Sequence, residues 1–182
     1  VRTIGSSTGV FCALLEESKK RKPRRSLASL WYMPWNLGGF KIDGERLNVR
    51  SENIFEKSPI MMIELFRMAQ LHELQIHPHA LQLISHNLHR IDHTLQNDPK
   101  ANSLFLEILL SENAAEHTLR RMSDAGVLGR FIRDFGRVIG QTQFNMYHVY
   151  TVDEHTLVAI GILHAIENGK MKDELPLASD II

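Results

Sequence analysis

The segment FNMYHVYTVDEH, residues 144–155, has the composition of an active-site wall. It contains three aromatic side chains, two histidines and two carboxylates within twelve positions. Histidine is the side chain that most readily serves as a metal ligand or as a proton donor and acceptor near neutral pH. The same composition is also found where aromatic side chains fill a corner between packed helices, so both interpretations stay open on residue types alone.

A helix is predicted directly after this segment. Thr151 is a suitable N-cap, Asp153 and Glu154 place negative charge in the first turn, and Asn168-Gly169 supplies an end, so the helix should cover about residues 152–168. His155 would then lie on an apolar face of this helix, where a buried imidazole needs either a hydrogen-bond partner or a metal. The other residues of that face are Val158, Ala159, Ile162 and Ile166.

Histidines are densest at residues 77–93. His86, His89 and His93 follow i, i+3, i+7 spacing, and His79 falls close to the same face. Opposite them runs an apolar seam, which predicts that the histidine face is in contact with water. Structural zinc sites draw on several elements, and no thiolate is nearby, so a native metal is not expected here. The seam consists of Leu81, Ile84, Leu88, Ile91 and Leu95.

The elements that must position these residues are predicted to be almost entirely helical. TGVFCALLEESKKR reads as a helix, and the basic run KKRKPRR at residues 19–25 is typical of a solvated helix end and linker, with a phosphate-binding patch as the alternative. Asp43-Gly44 lies between short alternating segments and predicts a type I′ hairpin. We therefore expect an all-α helical bundle with one short β-hairpin near residues 39–49, and no other sheet.

The central helices have recognisable starts. Ser58 is the predicted N-cap of one helix, with Pro59 at its first position, and Asp98-Pro99 begins another in the same way. Between them, a single helix is expected from Pro78 to about residue 95. The predicted inward positions of the Ser58 helix are Met62, Leu65, Phe66 and Ala69, and those of the Asp98 helix are Leu104, Phe105, Ile108 and Leu109.

One more helix precedes a glycine-rich stretch. It should turn Ala115, Leu119 and Met122 inward and end at Gly126. GVLGRFIRDFGRVIG, residues 126–140, contains too many glycines for one long helix and is expected to fold as short turns.

Composition restricts the class of protein. The 182 residues include 21 basic and 21 acidic side chains, so no charge imbalance points to nucleic acid or to a membrane surface. The single cysteine, Cys12, cannot form an internal disulfide, and no apolar run is long enough to span a membrane. A cytoplasmic location is expected. The start at Val1 and the end at PLASDII suggest a piece of a longer protein.

Several segments resemble a known enzyme family. FNMYHVYTVDEHTL is similar to the entry of the HD hydrolase domain of bifunctional PII uridylyltransferase/uridylyl-removing enzymes. TGVFCALLEE, GGFKIDGERLNV, SPIMMIELFRMAQ and LFLEILLS resemble earlier parts of the same enzymes, so the likeness extends over nearly the whole chain. The stretch from Leu119 to His155 is the specific part.

The resemblance implies a four-part parent. It would have a nucleotidyltransferase domain, this helical region, an HD domain and two glutamine-sensing ACT domains. Such enzymes transfer UMP from UTP to a tyrosine of the PII signalling protein when glutamine is low and remove it when glutamine is high. Both reactions use a divalent metal, Mg²⁺ or Mn²⁺, in the family.

The catalytic motifs of the family are incomplete in these 182 residues. The transferase site needs Gly-Ser followed by Asp-x-Asp, and although Gly5-Ser6 is present, no Asp-x-Asp occurs. By resemblance, His155 matches the first metal ligand of the HD site, but no histidine is followed by an aspartate. Tyr147, His148 and Tyr150 match positions in the wall of that site.

The resemblance thus implies three regions. Residues 1–57 would follow the transferase domain, residues 58–147 would form the central helical linker, and residues 148–182 would begin a truncated HD domain. Alone, the chain is expected to bind no cofactor and to be inactive, and the uncovered His155 face could pair with a second copy. Three alternatives remain: the helical region of glutamine synthetase adenylyltransferase, an HD phosphohydrolase, and a non-catalytic helical protein-binding module.

Overall fold

Helices dominate the chain and begin after a small sheet. A computed structural model describes residues 37–112, 114–141 and 151–181. The predictions for residues 1–36, including the first helix, the basic run and Gly5-Ser6, lie outside the described residues. In chain order the elements are β1 Phe40–Asp43, β2 Arg46–Val49, α1 Ile54–Lys57, α2 Met61–Leu71, β3 Gln75–Ile76, α3 Pro78–Asn87, α4 His93–Gln96, α5 Pro99–Leu109, α6 Ala115–Asp124, α7 Val127–Phe131, α8 Arg133–Val138, α9 Val152–Glu167 and α10 Pro176–Ile181.

The predicted hairpin is confirmed, with its turn one residue later than expected. β1 and β2 are antiparallel, with Asp43 opposite Arg46, so the two turn residues are Gly44 and Glu45. Their φ angles of 54° and 68° are those of a type I′ turn. The sheet extends beyond the hairpin, because a third strand, β3, pairs with β2 in parallel. A two-residue strand is too short to show an alternating pattern in the sequence.

Helix α2 buries its predicted stripe. Met62, Leu65, Phe66 and Ala69 are all buried, together with Ile63 and Met68. Its predicted start was wrong: Ser58 and Pro59 precede the helix, and the Ser58 carbonyl accepts the Met61 N–H in a turn at 3.1 Å. The helix therefore begins at Met61 without a side-chain cap.

The single helix predicted from Pro78 to residue 95 is also wrong. Helix α3 ends at Asn87, a 3₁₀ turn covers Leu88–Arg90, and α4 begins at His93. Asp92 causes the new start, because its side chain accepts the N–H groups of Thr94 at 2.9 Å and Leu95 at 3.1 Å. The apolar seam still packs into the core on both sides of the break.

The predicted start of α5 and the predicted end of α6 are both confirmed. Asp98 caps α5 by accepting the N–H groups of Lys100 at 2.7 Å and Ala101 at 3.1 Å. Gly126, with φ of 79°, ends α6 in the left-handed conformation expected of a C-cap glycine. The inward residues of α6 are confirmed as buried: Ala115, Leu119 and Met122.

The glycine-rich stretch does not form one long helix, as expected, but it folds as two short helices rather than as turns. α7 and α8 pack against each other through Gly129 and Gly136, where a Cβ on Gly136 would overlap the Gly129 carbonyl oxygen. Glycine is needed here because the two backbones touch directly.

One hydrophobic core runs through the described residues. It includes Phe40 and Leu47 of the hairpin, Phe66 of α2, Leu119 of α6 and Leu157 of α9. The predicted fold class, a mainly helical bundle with a short hairpin, is confirmed. Among the described helices, none is long and apolar enough to cross a membrane.

Candidate functional site

The helix that carries His155 is confirmed. Helix α9 covers Val152–Glu167 and ends at Asn168, with Gly169 at φ of 68°. Thr151 occupies the N-cap position, although its side chain makes no capping hydrogen bond within the described part of the chain. The start of α9 is instead tied to the preceding segment, because the Val152 N–H donates to the Gln141 carbonyl at 3.2 Å.

A buried carboxylate holds the first turn of α9. Asp153 is 2% exposed, and its Oδ1 accepts the Gly140 N–H at 3.0 Å. Since Asp153 also lies in the first turn of the helix, its negative charge is favourably placed near the positive end of the helix dipole. The carboxylate therefore joins the end of the glycine-rich stretch to the start of α9.

An arginine on α6 binds the same turn. The Arg120 guanidinium donates to Glu116 on its own helix at 2.9 Å and to Glu154 on α9. The hydrogen bond to Glu116 is the largest cause of a raised pKa of Arg120, and the hydrogen bond to Glu154 is the next largest. The guanidinium thus stays charged and connects two helices whose residues are far apart in sequence.

Further along α9, its inner face packs on α5 and α6. Leu157 is buried in the common core. The His164 Nε2 lies 2.7 Å from the Leu109 carbonyl oxygen, so that nitrogen carries the donated proton. Gly161 lies against the end of the Glu116 side chain, so a Cβ there would require that carboxylate to move. These contacts fix the rotation of α9 about its axis.

That rotation turns His155 outward. His155 is exposed, and so are Val158, Ala159 and Ile162 of the same face, whereas Ile166 near the helix end is buried. The predicted burial of His155 is therefore wrong: the inner face of α9 is occupied by Asp153 and Leu157. The role of His155 as a metal ligand stays a prediction.

The described residues do not assemble a metal site around His155. Across residues 37–112, 114–141 and 151–181, no three histidine, cysteine, aspartate or glutamate side chains come close enough together to hold an ion. His155 could supply one nitrogen, which is too few for a bound cation. Tyr147, His148 and Tyr150, the predicted wall of the site, lie outside the described residues.

The other histidine cluster lies on the surface, as its sequence pattern indicates. His86, His89 and His93 are all exposed. The His89 Nδ1 lies 3.1 Å from the His86 carbonyl oxygen, while His93 is within hydrogen-bond distance of Asn97. These contacts are local, which fits a solvated face.

Sequence reasoning missed the anchors of α9. Asp153 was predicted only as a favourable charge at the helix start, and Arg120 was not singled out. The i, i+4 spacing of Glu116 and Arg120 was visible in the sequence. The pairing of Arg120 with Glu154, 34 residues away, had no local signal.

Comparison with known proteins identifies the family of the chain. Residues 40–131 match the family model described as "Uridylyltransferase GlnD third domain". The chain belongs to this family. No solved structure matches it.

Two similar proteins from other organisms share one name. A "Bifunctional uridylyltransferase/uridylyl-removing enzyme" of Azospirillum brasilense is 52% identical, and the match covers all of this chain and 20% of the relative. Its counterpart in Rhodospirillum rubrum is 49% identical, again over the whole chain and 19% of its own length. The chain thus spans about a fifth of the curated relatives. This confirms the family resemblance and argues against the glutamine synthetase adenylyltransferase alternative.

Proposed function

We propose that this chain is the helical region between the two catalytic domains of an enzyme that uridylylates the PII signalling protein with UTP. The same enzyme would remove UMP from PII in response to glutamine. The names of the relatives support the two opposing activities. Because UTP is an intracellular nucleotide, the proposal implies that the protein acts in the cytoplasm.

The role of this region would be to fix the position of one active site relative to the other. The observation that carries this proposal is the continuous core, which includes Phe40 of the hairpin and Leu157 of α9. Arg120 and Asp153 add polar contacts at the start of α9. A helix held at several points transmits its orientation because packed side chains resist rotation.

In the intact enzyme, His155 would be the first ligand of the HD-type site. Its outward position on α9 leaves the imidazole accessible to ligands from other parts of the enzyme. A divalent cation, Mg²⁺ or Mn²⁺, would supply Lewis-acid activation of water against the phosphodiester. Tyr147, His148 and Tyr150 would face the substrate.

As an isolated polypeptide, the chain should not turn over substrate. Neither Asp-x-Asp nor His-Asp occurs in its 182 residues. The test is incubation of this chain with PII, UTP and Mg²⁺, followed by mass spectrometry of PII, with the intact parent enzyme as positive control. Addition of UMP to PII by this chain alone would refute the proposal.

The positioning role has its own test. In the intact enzyme, Arg120→Ala should shift the glutamine concentration at which the two activities exchange, since it loosens α9. Arg137→Ala removes an exposed arginine from α8 and should leave that concentration unchanged. An unchanged glutamine response in the Arg120 variant would contradict the connector role. A purely protein-binding module would show no metal-dependent activity even in the full-length protein.

The exposed face of α9 also bears on assembly. Val158 and Ile162 are 37% and 42% exposed, and Leu163 beside them is 54% exposed. We expect this face to pair with a second copy when the chain is isolated, because water contact with adjoining apolar side chains is unfavourable. Sedimentation velocity of the chain and of an Ile162→Glu variant would test this, and a concentration-independent monomer would contradict it.

A further inference from the structure

A second concave site lies away from α9. A cavity of about 400 Å³ opens between α2 and α6, next to the short strand β3. This volume is within the range of pockets that bind small molecules. Its polar lining residues are Gln70, Glu73, Gln75, His117, Thr118 and Arg121.

Arg121 is the distinctive group of this cavity. Its side chain is half-buried and lines the cavity on the α6 side. Burial, followed by the neighbouring charge of Arg46, lowers the pKa of Arg121, while Asp124 opposes this shift. The fold therefore holds a cation at a cavity wall where both desolvation and a like charge disfavour it.

The sheet brings the second arginine to this place. Arg46 begins β2 and lies opposite Gln75 of β3, which itself lines the cavity. The third strand, although only two residues long, thus sets Arg46 beside the site. Two guanidinium groups near one cavity create a positive potential that an anion would relieve.

The remaining lining residues suit a single anionic group. His117 and Thr118 lie four and three residues before Arg121 on α6, which places the three side chains along one helix face. All three can donate hydrogen bonds to an oxyanion. Glu73, exposed at the rim, carries negative charge that would repel a ligand with several anionic groups.

We propose that this cavity binds a small molecule through one phosphate or carboxylate group, with Arg121 as the principal ligand and His117 and Thr118 as additional donors. The body of the molecule would lie against Leu74 and Ala114, two apolar lining residues that are not fully buried. The cavity does not include His155, and ligand binding there does not depend on the proposed catalytic activity. It would give the helical region a ligand of its own.

Titration with two anions tests the proposal. Inorganic phosphate and acetate are titrated into the 182-residue chain by NMR at constant ionic strength. Saturable binding with a Kd below about 50 mM is expected for at least one of them. Arg121→Gln should weaken it at least about tenfold, since a charge-assisted hydrogen bond is lost. Tighter phosphate binding would assign a phosphate ester, and tighter acetate binding would assign a carboxylate ligand.

Two controls make the outcome decisive. Lys41→Gln removes an exposed positive charge from β1, outside the cavity, and should leave the affinity unchanged. Without added anion, Arg121→Gln should unfold at the same temperature as the wild type or higher, since it removes a cation that burial and the charge of Arg46 disfavour. The anion should raise the unfolding temperature of the wild type alone. Binding that survives in Arg121→Gln, absence of saturable binding, or a destabilised variant in anion-free buffer would each overturn the proposal.

Discussion

Arg120 on α6 and Glu154 on α9 form an ion pair between residues 34 positions apart, and the same guanidinium also binds Glu116. Glu154 directly precedes His155 in the sequence. The direction in which His155 points is therefore set by a residue of the central helices, and the geometry of the predicted metal ligand depends on the packing of α6.

Replacing this arginine should weaken the attachment of α9. We expect Arg120→Ala to lower the free energy of unfolding by about 1–2 kcal/mol, because two charge-assisted hydrogen bonds are lost at a partly buried position. Urea denaturation measures this change. Arg137→Ala is the matched control: its pair with Asp134 is exposed on both sides and should contribute less than about 0.5 kcal/mol. Equal effects of the two substitutions would contradict the anchoring role.

The buried carboxylate at the helix start should matter more than its exposed counterparts. Asp153→Ala is expected to destabilise the chain by about 2 kcal/mol, because it leaves the Gly140 N–H without its acceptor. Asp153→Asn keeps an acceptor oxygen and should lose less. Urea unfolding measures these changes. Asp173→Ala, at an exposed position after α9, should leave the free energy of unfolding unchanged. If Asp153→Ala were also neutral, the hydrogen bond to Gly140 would not stabilise the fold.

Much of the helical architecture could be predicted because its signals are local. The apolar stripe of α2, the Asp98 cap of α5 and the Gly126 end of α6 each depend on residues within one or two turns. The extent of α9 followed in the same way from its acidic first turn and from Asn168-Gly169.

What could not be predicted depends on contacts between distant residues. The pairing of β3 with β2 joins residues 46–47 to residues 75–76. The outward position of His155 results from the contacts of Arg120 and Leu157, since periodicity alone placed its face inward. The break at Asp92 is different: its capping potential was visible, but the continuing apolar seam favoured one long helix.

Two glycines should respond differently to the same substitution. A Cβ at Gly136 would overlap the backbone of Gly129, whereas a Cβ at Gly161 would meet only the Glu116 side chain, which can move. We expect Gly136→Ala to destabilise the chain by more than about 2 kcal/mol. Gly161→Ala should change stability by less than about 1 kcal/mol, because the helical preference of alanine offsets the displaced carboxylate. Chemical denaturation of both variants tests the contrast, and the reverse order would refute it.

The hairpin turn contains a residue that glycine would replace with benefit. Glu45 has φ of 68° at the second turn position. Residues other than Gly and Asn are strained in this conformation. Glu45→Gly should stabilise the chain by about 0.5 kcal/mol, after allowance for the larger entropy of the unfolded glycine chain. Gly44→Ala is the opposite control: space is open around Gly44, so any loss of stability there reflects its φ of 54° alone. A destabilised Glu45→Gly variant would show that the Glu45 side chain contributes contacts of its own.

The last prediction separates the chemistry of His155 from its contribution to folding. Because the side chain is exposed, His155→Ala should change the free energy of unfolding of this chain by less than about 0.5 kcal/mol. In the intact enzyme the same substitution should reduce removal of UMP from PII at least about 100-fold, since the proposed metal ligand is lost, and should leave UMP transfer unchanged. His89→Ala, another exposed histidine, should affect neither activity. Equal loss of both activities in the His155 variant would point to a structural role, and retention of UMP removal would exclude His155 from the metal site.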